Sequence, residues 1–490
     1  MKPKAIVVGA GAAGLAATHS LNQRGVDVTL FEASDHAGGR MYGEEFNGFY
    51  IDSGACIFHE TQDTVNRWSK DLGVSFDRSP RGHVGTINSK GKSHQLNMER
   101  KFAPVNLRTL LASGLFSPKE LYQAGKFARF LRRRRDDLNA KDYTRLLDLD
   151  TGENLVEFVA RHGGKEFATG ALLEFFFNVG TLSKPERMGA LQGTMLLWDF
   201  VFGYPKQTTR NPERCVAEFG IALAEACRQR TRLSTPVEEI VIEDGTVRGV
   251  RTPDGFHPAD AVVCATTASV ALRLIPDLPD NISDPLRKVT YSSCCHVAFG
   301  VEGNPLPRPT YVFTSIPRTE SFVAAYFDST VASPLSAPPG KGIVHAYSVE
   351  EYIDEFASMS EEDIKRKFIE EIRRYAPLMP EEPLFTRVHL WKEAVFLAPG
   401  GVMSELHELR RQRFPGVSGL TLAGDYMNMM GVNGALESGA AAAEDVLANV
   451  AGMIPTGRRA AVPAWNPEAQ SHETEAQVRE KSGYQPMTAR

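Results

Sequence analysis

The chain has 490 residues, 42% hydrophobic and 23% charged, and its 55 Lys and Arg against 60 Asp and Glu leave a formal net charge of −5. This describes a soluble globular protein, long enough for about two to four domains and a large core, and excludes a fibre or a disordered chain. The charge balance offers no basic surface for nucleic acid, and no run nears the roughly 18 uninterrupted apolar residues of a spanning helix.

The first element is Lys4-Ala5-Ile6-Val7-Val8, a short β-branched run that ends at Gly9-Ala10-Gly11-Ala12-Ala13-Gly14. Apolar spacing through Leu15 and Leu21 predicts a helix, and Val26 to Phe31 predicts a second strand ending at Glu32. The apolar stretch from Ala5 to Leu21 is broken by glycines and lacks a cleavage signature, so it is not read as a signal peptide. Strand, G-x-G-x-x-G, helix, strand and acid together form a dinucleotide-binding unit. Gly9 serves the tight turn, Gly11 the approach of the backbone to a pyrophosphate, and Gly14 the close packing of helix on strand. Ala12 and Ala13 open the helix, whose free N–H groups and positive dipole end suit an anion. Glu32, eighteen residues past Gly14, is placed to accept hydrogen bonds from a ribose.

The next residues run Ala33-Ser34-Asp35-His36-Ala37-Gly38-Gly39-Arg40, followed by Ile51-Asp52-Ser53-Gly54-Ala55. Here the sequence resembles the superfamily of flavin amine oxidases, protoporphyrinogen oxidases and carotenoid (phytoene) desaturases. The resemblance implies FAD as cofactor, with the segment of Ala33, Gly39 and Arg40 lying along it, Arg40 near the diphosphate, and Gly54 and Ala55 beside the flavin ring. Two distant segments support it. Arg232 to Ile240 is similar to the second cofactor segment, which implies that Val237 meets the adenine through its backbone. Leu420 to Tyr426, with Gly424 and Asp425, then Gly431-Val432-Asn433-Gly434, match the closing motif, where a helix N-terminus faces the flavin. Asn433 stands where the family usually has Glu.

The fold implied is α/β: a Rossmann-like FAD-binding domain (1–80, 215–275 and 416–450) interleaved with an α+β substrate domain (81–214 and 276–415) of mixed sheet and helices. Residues 102–200 show helical spacing and many aromatics, read as core rather than pocket. Lys126 to Arg135 is a basic amphipathic stretch, read as a solvated face with Asp136 and Asp137 as counter-charges; peripheral membrane contact is the less favoured reading. Residues 286–350 alternate and predict strands that roof the flavin, and Glu361 to Tyr375 predicts an amphipathic helix stopped by Pro377. The polar tail, 456–490, reads as disordered.

Six scattered cysteines with no C-x-x-C pair predict buried free thiols in a reducing, cytoplasmic compartment, and no metal site. The chemistry expected is two-electron dehydrogenation of a small molecule by FAD, with oxygen or a quinone as electron acceptor left open. Amine oxidases of the family carry a lysine near the position of Cys295 and His296, and an aromatic where Met430 and Gly431 stand. These departures favour a bulky, largely apolar substrate and a desaturase-like reaction, with Cys56, Cys295, Trp391, Met430 and Gly431 lining the pocket. No catalytic acid or base is assigned; His296 in its strand reads as a satisfied residue. Primary-amine oxidation and a non-redox isomerase using reduced FAD remain the alternatives.

Overall fold

A computed structural model of the chain describes residues 3–76, 84–97, 104–204, 210–306, 310–315 and 318–450. The polar tail of residues 456–490 lies outside the described residues. Strand Lys4–Val8 is the middle of a five-stranded parallel sheet. Asp27–Phe31 and Thr231–Arg232 lie on one side of it, Ala261–Cys264 and Leu420–Leu422 on the other. Helix Ala12–Gln23 makes the crossover that parallel pairing of the first two strands requires.

The strands are buried on both faces, which is why they read as unbroken apolar runs. Ala5, Val7, Val28, Leu30, Ala261 and Val263 meet the helices Ala12–Gln23, Ala217–Cys227 and Val432–Val450. Ile6, Val8, Phe31, Val262 and Cys264 belong to the opposite core, with Ile240, Val247 and Val250 of a three-stranded antiparallel sheet. Glycines let the helical layer come close. A Cβ on Gly439 of the last helix would sit 2.0 Å from the Ala13 carbonyl oxygen.

The second sheet has seven strands, in the order Phe385–Trp391, Cys294–Glu302, Lys341–Ser348, Val323–Asp328, Thr310–Ser315, Val84–Ser89 and Lys92–Asn97. It is mixed, because Thr310–Ser315 and Val84–Ser89 run parallel. Cys295, Val297, Phe299 and Val301 pack outward against Ile364, Phe368 and Ile372 of helix Glu361–Arg373. Cys294, His296 and Ala298 point the other way and are equally buried. The alternation in this region therefore records two covered faces, not one face in water.

In the helical part, Phe127, Phe158, Phe167 and Phe177 are fully buried, in keeping with the core reading of the aromatics. The basic stretch is the end of helix Pro118–Arg132, capped at its start by the Ser117 hydroxyl, and the short helix Arg135–Asn139. Arg134 pairs with Asp137 and Asp148, and Arg135 with Asp136. Among the described residues no helix is long and apolar enough to cross a membrane.

Overpacking at Gly439 sets a test. Gly439→Ala is expected to lower stability by about 1–3 kcal/mol. Gly125→Ala, whose Cβ would enter open space on helix Pro118–Arg132, is expected to raise it by about 0.5–1 kcal/mol. Urea unfolding midpoints check both, and equal midpoints would contradict the close helix contact.

Candidate cofactor site and catalytic face

At the nucleotide end, Gly9 turns with a φ of +98° and its N–H donates to the Phe31 carbonyl at 2.8 Å. A Cβ on Gly14 would lie 1.8 Å from the Gly9 oxygen, so only glycine lets this helix start so near the strand. A Cβ on Gly11 would meet nothing within 4 Å. The N-terminus of Ala12–Gln23 is capped by no side chain and holds no acid in its first turn. An open backbone cradle beside uncompensated N–H groups fits a pyrophosphate. Gly39, at a φ of +54°, closes the cradle, since its Cβ would come 3.2 Å from the Gly11 Cα.

Glu32 is held at the strand end by the Ala10 N–H, at 2.6 Å, and the Ser34 N–H, at 2.9 Å, one to each carboxylate oxygen. Each oxygen keeps a lone pair for a hydroxyl donor. Ala33 is exposed beside it. The N–H groups of Ser234 and Thr235 donate to the Ser34 and Glu32 carbonyls, which brings the segment holding Val237 alongside. The Val237 N–H has no partner among the described residues. These residues fit the adenosine half of FAD.

Arg40 ties the first cofactor segment to the last. Its guanidinium donates to Asp425 at 3.0 Å and to the Ala394 carbonyl at 3.0 Å, and lies 5.7 Å over the Tyr291 ring. Burial alone would lower its pKa, but the charge and hydrogen bond of Asp425 outweigh that and raise it. Beneath it, Gly54 leaves no room for a side chain, because a Cβ would lie 2.5 Å from the Arg40 carbonyl, which also accepts the Ala55 N–H. Gly424 donates its N–H to the Ser438 hydroxyl at the foot of the closing helix.

Asn433 is used differently from the family position it occupies. Its Oδ1 accepts the N–H groups of Thr64 and Val65, at 3.0 and 3.2 Å, and so caps helix Asp63–Asp71, while its Nδ2 donates to Glu437 at 2.8 Å. The side chain is committed to the protein. Val432 and Asn433 retain their backbone at the N-terminus of Val432–Val450, which has no acid in its first turn.

The second sheet presents its inner face to Ser53 and Gly54. The Trp391 indole donates to the Ser53 carbonyl at 2.7 Å, His296 Nδ1 lies 2.9 Å from the same oxygen, and the Tyr347 hydroxyl donates to the Gly54 carbonyl at 2.9 Å. Cys56 and Trp391 pack with Leu182, Cys294, Phe327 and Tyr347. Cys295 is not among them: adjacent strand residues point to opposite faces, and Cys295 packs outward with Val297 and Phe299. Cys294, on the opposite face, is the one that packs with Cys56 and Trp391. Met430 packs against the largest core instead, and Gly431 is exposed with a φ of +93°; neither is brought against Cys56.

His296 is buried and stacked between His345 and His389, with Nε2 2.8 Å from His345 Nδ1. Burial, then the neighbouring imidazoles, pushes it well below the usual histidine range, and burial pushes His345 down to about 3. His296 is therefore a satisfied neutral core residue. Among the described residues no cluster of His, Cys, Asp or Glu is arranged to hold a metal.

The family model described as flavin containing amine oxidoreductase matches residues 12–447. The chain belongs to this family. Among curated relatives, it is 22% identical over 498 residues to coproporphyrinogen III oxidase of Bacillus subtilis, covering 91% of this chain and 98% of that one. It is 28% identical over 193 residues to protoporphyrinogen oxidase 2 of Arabidopsis thaliana, covering 39% of this chain and only 35% of the plant protein. Cyclohexylamine oxidase from Brevibacterium oxydans has the same fold, with a TM-score of 0.70 at 18% identity over 92% of this chain and 100% of that one. The protein is an FAD-dependent oxidoreductase.

Local sequence does not single out the inward-facing Cys294, the Tyr347 hydrogen bond to Gly54 or the capping use of Asn433. The parity of a strand and a cross-helix cap require a register that no local pattern contains. Asp52 caps helix Ala217–Cys227 by accepting the Ala217 and Val216 N–H groups at 2.8 and 3.3 Å. Burial outweighs those bonds and pushes its carboxyl up to about 7. Between pH 4 and 7 the folded protein then holds a proton that the unfolded chain releases, so this group's contribution to stability falls as pH rises. Asp52→Asn is expected to flatten the decline in urea midpoint between pH 5 and pH 8. An unchanged slope would show that the carboxyl is already ionised at pH 5.

Proposed function

We propose that this oxidoreductase dehydrogenates a C–C or C–N bond of a bulky, largely apolar small molecule, in the manner of protoporphyrinogen oxidases and desaturases. The observation that carries the reading is the surface beside Gly54. Half-buried Cys56, Ile57, Trp391 and Ala394 form its accessible part over the buried Leu182 and Cys294, while the nearby His296 and His345 are kept neutral by burial. Such a surface favours apolar substrate by removing it from water. The names protoporphyrinogen oxidase and coproporphyrinogen III oxidase, borne by two relatives, agree with it.

When bound, FAD supplies a two-electron acceptor that takes hydride at N5. The chain's part is to hold and orient it. The Gly11 cradle and the start of Ala12–Gln23 seat the diphosphate, Glu32 accepts from the ribose, and the Val237 N–H meets the adenine. The N-terminus of Val432–Val450, with the backbone of Val432 and Asn433, would hold the ring edge where reduction accumulates negative charge. In this reading residues 1–80, 215–275 and 416–450 hold the cofactor and 81–214 and 276–415 the substrate. Six free cysteines favour a reducing, cytoplasmic location.

Anaerobic mixing tests the substrate class. Porphyrinogens or polyene precursors are expected to bleach the visible band of the oxidised flavin, and primary amines to leave it intact. Bleaching by amines alone would replace this reading with amine oxidation, and turnover that needs pre-reduced FAD would replace it with isomerisation. Glu32→Ala is expected to weaken FAD binding about 10- to 100-fold, as for loss of a charge-assisted hydrogen bond worth about 1.5–3 kcal/mol, measured by flavin fluorescence.

A further inference from the structure

Three ring donors converge on two consecutive carbonyl oxygens. Ser53 receives Trp391 and His296, and Gly54 receives Tyr347. A carbonyl offers two lone pairs, so the Ser53 oxygen is saturated from the side of the seven-stranded sheet. In a trans peptide the N–H points opposite to the C=O. Drawing the Ser53 oxygen toward the sheet therefore turns the Gly54 N–H away from the sheet. The flanking N–H groups are already used, Ser53 by the Tyr42 carbonyl and Ala55 by the Arg40 carbonyl, both within 2.9 Å. The Gly54 N–H has no partner among the described residues.

Only one tautomer of His296 can take part. Its Nδ1 must carry the proton to donate to Ser53, which leaves Nε2 to accept from His345 Nδ1. The His345 Nε2 then stays a bare, buried acceptor with no partner among the described residues. Tyr347 stacks on His296 at 4.4 Å, and Cys56 packs in the same cluster as Tyr347. His296 and Tyr347 thus brace each other across neighbouring strands of one sheet.

We propose that His296, Trp391 and Tyr347 are positioning residues that lock the Ser53–Gly54–Ala55 backbone and so present the Gly54 N–H as a hydrogen-bond donor to the isoalloxazine ring, an inference that rests on the FAD reading above. The full-length protein loaded with FAD is compared as wild type, His296→Phe, His296→Gln and Tyr347→Phe. The two-electron potential is read against a reference dye, together with the visible spectrum. In His296→Phe the ratio of affinities for oxidised and reduced FAD is expected to change about tenfold, a shift of about 30 mV, with FAD still bound. His296→Gln, which keeps a side-chain N–H, should return the potential to the wild-type value, and Tyr347→Phe should move it in the direction of His296→Phe.

An unchanged potential and spectrum in His296→Phe overturns the proposal. So does an equal shift in His296→Gln, which would make the ring a packing element only. Should His296→Phe fail to fold, Tyr347→Phe decides by the same readout. Failure of the wild-type chain to bind FAD at all would instead overturn the cofactor reading, and this inference with it.

Discussion

The structure depends on the meeting of its two ends. Arg40 and Asp425 stand 385 residues apart in sequence and share a hydrogen-bonded ion pair, with Asp425 only 3% exposed. A buried carboxylate without its partner would be costly, and with it the pair fixes where the last segment lies relative to the first. The contact of Gly439 with the Ala13 carbonyl does the same for the two helices. Everything between these points is constrained to leave and return, which is why two sheets can share one chain without being two consecutive beads.

The second sheet has a role beyond enclosing space. Its strands register Trp391 opposite Cys294 and His389 opposite His296, and so align donors that end on one short stretch of backbone. A cofactor site of this kind is built from two layers: glycines and helix ends that leave backbone free, and ring side chains that decide which way that backbone faces. The first layer supplies affinity, whereas the second supplies orientation, and orientation is what a redox protein needs held still.

The glycine turns of the segments proposed to hold FAD are legible in the amino-acid sequence because backbone geometry restricts residue identity there. Gly9, Gly14 and Gly54 are each forced, by φ or by an oxygen within 2.5 Å of a would-be Cβ, and so leave a recognisable spacing. The inner face of the second sheet is harder to read. Cys294 and Cys295 are equally apolar and equally buried, and only the pairing with Trp391 says which faces inward. The histidine stack spans three strands that lie far apart in sequence, so no window of residues contains it. Asn433 fitted a motif by position while its side chain had been turned to cap another helix.

The place of Leu420–Leu422 at the edge of the parallel sheet, with Val432–Val450 over its helical layer, bears on biosynthesis. Ala13, Ala16 and Ala17 lie in the core shared with Ala435, Leu436 and Ala442, among the last described residues to emerge from the ribosome. At roughly 5–20 residues per second the apolar flank of the first helix waits on the order of 20 seconds or more for its cover. A nascent chain built this way exposes a greasy surface throughout translation, which makes it a natural client for chaperones and leaves the coloured prosthetic group to be captured late.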